Sequence, residues 1–169
     1  MVIVAYDSAW PSLFEQERTL LQATIGAWLS GPIEHIGSTA VPGLAAKPII
    51  DIMAGVETLA ASTGAIAAAG TLGYIHYPYR PDVMHWLCKP SASFRTHHLH
   101  LVPYQSALWN ERLAFRDHLR RDAAAAADYG ALKMGLARQY TCDREAYTEA
   151  KGPFIRRILE GARSQDPER

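Results

Sequence analysis

Between Trp10 and Leu29 the apolar residues Leu13, Phe14, Leu20, Leu21, Ile25 and Trp28 recur at helical spacing, which predicts a helix with one face packed on a core. Ser8 stands just ahead of Trp10-Pro11 in the position of a helix cap, and the expected end is Gly31. Pro32 to Ile36 reads as a short strand, and Gly37 to Pro48, with two glycines and two prolines, reads as a loop. Ile49 to Val56 is almost wholly apolar, the pattern of a central strand buried on both faces. Its only charge is Asp51.

Glu57 to Ala69 is alanine-rich and stops at Gly70, as a second helix would. Tyr74 to Tyr79 and Val83 to Lys89 read as strands joined by a turn through Arg80, Pro81 and Asp82, and a third strand is expected from Phe94 to Val102. Three helical segments follow, Leu108 to Arg121, Ala123 to Arg138 and Arg144 to Gly161. The pattern predicts one α/β (α+β) domain over residues 1–163, with a C-terminal helical portion and a polar tail over residues 164–169.

Composition narrows the functions. The chain has 169 residues with 17 Lys plus Arg against 17 Asp plus Glu, so no net charge draws it to nucleic acid or to an anionic membrane. Cys88 and Cys142 stand far apart with no CxxC pair, which fits a reduced compartment and argues against a thiolate zinc site. The N-terminus has neither a basic flank nor a signal-length apolar run, and no apolar run approaches the roughly 20 residues that span a bilayer. The expected location is cytoplasmic and the expected partner a small molecule or nucleotide, with neither nucleic acid nor membrane involved. Oligomeric state is left open.

Side chains alternate along a strand, so Ile49, Asp51 and Met53 share one face and Ile50, Ile52 and Ala54 the other. A carboxylate on such a strand needs a metal, a cation or a set of donors. A loop backbone or Lys47 is the plainer alternative. In the last strand His98 and His100 point to one face and Leu99 and Leu101 to the other. Two histidines at i and i+2 suit one metal, acid–base work or phosphate donation; a hydrogen-bonded pair is the structural alternative. His97 falls on the leucine side and reads as structural. Gly37, Ser38 and Thr39 follow a strand and precede a turn, where backbone N–H groups and hydroxyls can hold phosphate. The chain has no P-loop, GxGxxG, HExxH or GxSxG.

Tyr6-Asp-x-x-Trp-Pro11, the block Glu34-His-Ile-Gly-Ser-Thr-Ala-Val-Pro-Gly-Leu-Ala-Ala-Lys-Pro-Ile-Ile-Asp-Ile52, His98-Leu-His100 and Leu113-Ala-Phe-Arg-Asp-His-Leu-Arg120 together resemble the GrpB family. Tyr129-Gly-Ala-Leu-Lys133 and Tyr147-x-x-x-Lys151-x-x-Phe-Ile155 extend the likeness over nearly the whole chain. The resemblance implies a nucleotidyltransferase-like fold, a small mixed sheet flanked by helices, and relatives in which a similar domain is fused to dephospho-coenzyme A kinase. It also implies a Gly-Ser followed by an acid-x-acid strand and a third acid nearby, the arrangement that binds two Mg²⁺.

Gly37-Ser38 and Asp51 match that pattern, but the second acid is Met53 and the neighbouring strand offers His98 and His100. Asp51, His98 and His100 are therefore the expected catalytic and metal-ligating residues, a set that suits Zn²⁺, Mn²⁺ or Fe²⁺ better than Mg²⁺. Gly37, Ser38, Thr39, Lys47, Arg95, Arg116, Lys133 and Lys151 are the candidates for phosphate or substrate, with a surface role the plainer reading of each of the last three. The leading expectation is a nucleotidyltransferase-like enzyme, a transferase that binds ATP, another nucleotide or a phosphorylated small molecule. An acid–base enzyme working through His98, His100 and Asp51, and a non-catalytic nucleotide- or coenzyme A-binding module, are the alternatives.

Overall fold

The computed structural model describes residues 2–165. Helix α1 (Trp10–Ile25) leads into strand β1 (Leu29–Ile36), and after the loop comes β2 (Ile50–Val56). Then follow α2 (Thr63–Gly70), β3 (Ile75–Tyr77), β4 (His85–Pro90) and β5 (Arg95–Pro103). Helices α3 (Ala107–Arg121), α4 (Ala123–Gln139), α5 (Arg144–Glu149) and α6 (Gly152–Gln165) complete the chain. The five strands form one mixed sheet in the order β1-β2-β5-β4-β3, with β2 and β5 parallel and the other neighbours antiparallel. A five-stranded mixed sheet flanked by helices is the expected fold class.

The two sheet faces differ. Ile50, Ile52, Ala54, Leu87, Leu99 and Leu101 pack under Trp10, Phe14, Leu21 and Ile25 of α1 and Ala65 and Ala69 of α2. Burying those side chains supplies the main apolar contribution, the leucines, isoleucines and phenylalanine each worth about 1.5 to 3 kcal/mol when fully enclosed. The opposite face is apolar toward Met53, Trp86, Cys88 and Val102, which meet Trp109 of α3. Beyond them it opens onto Asp51, His98 and His100. The β1–β2 loop then packs through Val41 and Leu44 on Leu119 of α3 and Tyr129 of α4.

Several boundaries move for local reasons. Ser8 does not cap α1; the Asp7 carboxylate instead accepts a hydrogen bond from the Ala9 N–H at 2.8 Å. The helix ends at Ile25 and the strand already begins at Leu29. Gly31-Pro32 looks like a terminator, yet β1 is an edge strand with a register shift between Leu29 and Ile33, where proline is tolerated. Residues 58–62 turn rather than coil into α2, because the Thr58 hydroxyl accepts from the Ala61 N–H and the Ser62 hydroxyl donates to the Leu59 carbonyl.

The expected strand at Val83 starts at His85, after a turn in which the Met84 N–H reaches the Arg80 carbonyl. The expected helix from Arg144 to Gly161 breaks in two at Ala150-Lys151, and Pro153, which has no N–H, sits in the first turn of the restarted helix. Helix α6 runs to Gln165, two residues into the expected tail, and residues 166–169 lie outside the described residues.

One polar network braces the apolar layer. Glu17, 5% exposed on α1, accepts hydrogen bonds from the Tyr74 hydroxyl at 2.9 Å and the Lys89 ammonium at 2.7 Å. His97 approaches the same carboxylate at 4.0 Å, in the structural position its leucine-side register implies. Removing the carboxylate strands the buried tyrosine hydroxyl and the lysine together. Glu17→Ala should lower unfolding free energy by on the order of 2 kcal/mol, measured by urea denaturation.

Candidate functional site

The parallel register sets Asp51 beside His98 and Met53 beside His100 on adjacent strands. Asp51 Oδ1 lies 2.8 Å from His98 Nδ1 and 3.7 Å from His100 Nε2, and one donor atom from each of the three side chains lies within 4.8 Å of the others. Burial opposes ionisation of Asp51, but His100 and His98 outweigh it and hold the carboxyl far below the usual range. An ionised carboxylate only accepts hydrogen bonds, so His98 carries its proton on Nδ1. His100 Nδ1 lies 3.5 Å from the Met84 sulfur. Burial, then Arg112, pushes the His100 pKa down to about 3 against the pull of Asp51, so its ring is neutral. The Nε2 atoms of His98 and His100 are both buried without a hydrogen-bond partner.

Gly37 makes room for the carboxylate. It adopts φ +71° and ψ −172°, a region open essentially to glycine, and a Cβ there would stand 2.5 Å from Asp51 Oδ2. Ser38, part-buried, follows at the start of a short 3₁₀ turn. Thr39 is sealed beneath it, and its hydroxyl donates to the Ile49 carbonyl at 3.2 Å. His35 Nε2 lies 3.0 Å from that hydroxyl, and His35 stacks on Phe14 at 4.6 Å. Burial first, then Arg120 and Arg116, lowers the His35 pKa to about 4 against Asp51, so the neutral ring donates to Thr39. The Thr39 hydroxyl is therefore a brace that ties the loop to β1 and β2 rather than the expected phosphate contact.

All the residues singled out from the sequence line one cleft of about 1070 Å³, though their side chains have different occupations. Lys47 and Lys151 lie 3.9 and 4.6 Å from the centroid of the Tyr147 ring, and Lys133 lies 5.0 Å from that of Tyr129 while donating to the Ala45 carbonyl at 2.5 Å. Desolvation, with mutual repulsion, lowers Lys47 to about 8 and Lys133 to about 7, and desolvation lowers Lys151 as well. Asp51 is the acid that counters all three. Arg95 sits over Trp86 at 4.9 Å and donates to the Ala92 carbonyl.

Arg116 is a correction. Its guanidinium pairs with Glu34 at 2.6 Å and Asp117 at 2.7 Å and donates to the His35 carbonyl, which occupies it structurally. Arg112, one helical turn earlier, shares the face of Arg116 by spacing, as Tyr147 shares that of Lys151, but neither stood among the candidates, and Arg144 and Met84 carried no signal in the sequence. Helical spacing gave Arg112 and Arg116 the same face, and only the acidic neighbours Glu34 and Asp117 distinguish them.

The comparisons with known proteins concern the family and the fold. The family model described as GrpB protein matches residues 1–161. The chain belongs to the GrpB family. Glutamate-rich protein GrpB of Alkalihalophilus pseudofirmus is 35% identical over 94% of both chains. The crystal structure of conserved protein GrpB from Enterococcus faecalis superposes with a TM-score of 0.86 at 32% identity, covering 99% of this chain and 100% of that one. A dephospho-CoA kinase of Mycolicibacterium paratuberculosis is 28% identical over 91% of this GrpB chain but only 44% of its own length. No helix among the described residues is long and apolar enough to cross a membrane.

Two outcomes follow for this GrpB chain. Gly37→Ala should cost about 2 to 3 kcal/mol of unfolding free energy in a denaturant titration, from a disfavoured backbone conformation and a clash with Asp51. The Lys133 ammonium has an ordinary pKa of 10.5 and a folded value of about 7, so the unfolded chain holds more protons across that interval. The charged form burdens the fold below about pH 7, and the burden lifts as pH rises. Thermal unfolding should therefore shift upward between pH 7 and pH 9, and the shift should flatten in Lys133→Met.

Proposed function

We propose that this protein is a metal-dependent enzyme acting on a nucleotide or another phosphorylated small molecule. Asp51, His98 and His100 would hold one divalent ion, and Lys47, Lys133 and Lys151 would receive the phosphate. The observation that carries the reading is the pair of buried, partnerless Nε2 atoms beside an ionised carboxylate. One ligand atom from each of the two imidazoles and the carboxylate converge within 4.8 Å, an arrangement that a divalent cation would satisfy. The donor set N, N, O favours Zn²⁺, Mn²⁺ or Fe²⁺ over Mg²⁺. Such an ion supplies Lewis-acid polarisation of a phosphoryl oxygen.

The residues around it have separable roles. The lysines would neutralise the phosphate, and a bound anion would restore their ordinary affinity for protons. The His98–Asp51 hydrogen bond orients the ring in the manner of a carboxylate–histidine–metal arrangement. Met53 speaks against a second ion, since it stands where a second acid would be needed and is fully buried. Nucleotidyl transfer by two Mg²⁺ is therefore the less favoured chemistry for this cleft, and single-ion activation the favoured one.

The same 2.8 Å hydrogen bond favours a second reading, in which His98 and Asp51 form a metal-free acid–base dyad on a small organic substrate. Titration calorimetry on metal-stripped protein separates the two. One equivalent of Mn²⁺ or Zn²⁺ should bind, Asp51→Asn should weaken it at least about tenfold, and ATP should bind more tightly with the metal present. Wild-type protein that takes up neither ion sinks the metal reading. Turnover by metal-free protein that disappears in His98→Ala would instead establish the dyad.

A further inference from the structure

Arg112 and Arg116 stand one turn apart on α3, but their guanidinium groups meet opposite surroundings. Arg116 is held by two carboxylates and a carbonyl. Arg112 lies part-buried in the cleft wall, and its Nη2 reaches only the thioether of Met84, 3.6 Å away. Among the described residues no carboxylate stands within ion-pair range of it. A guanidinium offers five N–H donors and a thioether is a weak acceptor, so most of this group's capacity is unused. Desolvation lowers its pKa to about 10, with Asp51 attracting it and Arg80 repelling it. Enclosing an unpaired cation destabilises a fold unless another role retains it.

Its position is separate from the lysines. Lys133 reaches the Ala45 carbonyl in the loop that leads into β2, whereas Arg112 reaches Met84 at the entrance to β4, and β5 lies between those strands. The charges that act on Lys133 are Lys151, Asp51 and Lys47; those that act on Arg112 are Asp51, Arg80 and Tyr79. Asp51 is common to both groups. It stands between two basic poles.

We propose that Arg112, with Arg80 from the β3–β4 turn, forms a second anion subsite beside His100, so that the ligand spans the Asp51–His98–His100 centre with negative charge at both ends. A chain of linked phosphates is the simplest compound with that form. This inference deepens the reading of the cleft as a site for a phosphorylated ligand and rests on it. The Met84 sulfur, which touches both Arg112 and His100, fixes the spacing between the second pole and the imidazole.

The test compares inorganic orthophosphate with tripolyphosphate by calorimetry, with and without Mn²⁺, on wild-type protein, Arg112→Met and Arg112→Lys. Wild-type protein should prefer tripolyphosphate by at least about tenfold, Arg112→Met should lose that preference, and its orthophosphate affinity should stay within about twofold. Arg112→Lys, which keeps the charge, should retain a preference. The free Arg112→Met protein should unfold at the same temperature as wild type or higher, since an unpaired cation has been removed. A lower unfolding temperature would make Arg112 a structural brace and overturn the subsite, as would equal tripolyphosphate binding by wild type and Arg112→Met, or a lysine variant as indifferent as the methionine one. If Mn²⁺ does not bind but the Arg112-dependent preference persists, the subsite stands and the metal reading falls. If Mn²⁺ binds and the preference is absent, the subsite alone falls.

Discussion

A carboxylate placed on a strand that is otherwise enclosed sets conditions for everything near it. Asp51 shares β2 with six buried residues, and the side chains beside it on β5 are imidazoles rather than aliphatics. The backbone above it must be glycine, because Gly37 approaches closely enough that a Cβ would collide with Oδ2. The loop that begins at Gly37 is then anchored through Thr39 and His35, and it carries Lys47 into the cleft. Removing the negative charge would take away the acid that counters Lys47, Lys133 and Lys151 alike. The electrostatics of the cleft therefore have one centre, and the loop geometry follows from making space for it.

Much of this was legible in the chain because strand alternation is rigid. Asp51 and Met53 on one face, Leu99 and Leu101 on the other, and His98 and His100 opposite the leucines all follow from a period of two. The loop from Gly37 to Pro48 was equally plain from its glycines and prolines. Less visible were effects that depend on partners far away in sequence. Arg116 and Arg112 are indistinguishable by spacing, and Glu34, 82 residues from Arg116, decides which of them is occupied. Thr39 read as a phosphate ligand until its hydroxyl found the Ile49 carbonyl. Boundaries shifted where side chains competed with the backbone, as at Thr58 and Ser62, or where an edge position excused a proline.

The cleft also shows how function and stability are set against each other. Lys47, Lys133 and Lys151 crowd around two tyrosine rings with their proton affinities lowered by burial and by one another. Fully satisfied surfaces do not look like this. The fold tolerates the arrangement because the opposite side of the sheet is well packed under α1 and α2, with Leu21, Ile52, Leu87, Leu99 and Leu101 wholly enclosed. Apolar burial on one face gives the margin that lets the other face keep unmatched polar groups.

Met53 has a further meaning. Its side chain belongs to the apolar cluster that joins the sheet to Trp109, so the position two residues beyond Asp51 is part of the seam fastening α3 to the strands. An acid introduced there would face tryptophan and valine rather than an open cleft, and it would loosen the helix that carries Arg112. A change of residue type at that point cannot be made without remaking the interface beneath α3. Packing therefore holds position 53 apolar, and β2 keeps Asp51 as its single acid.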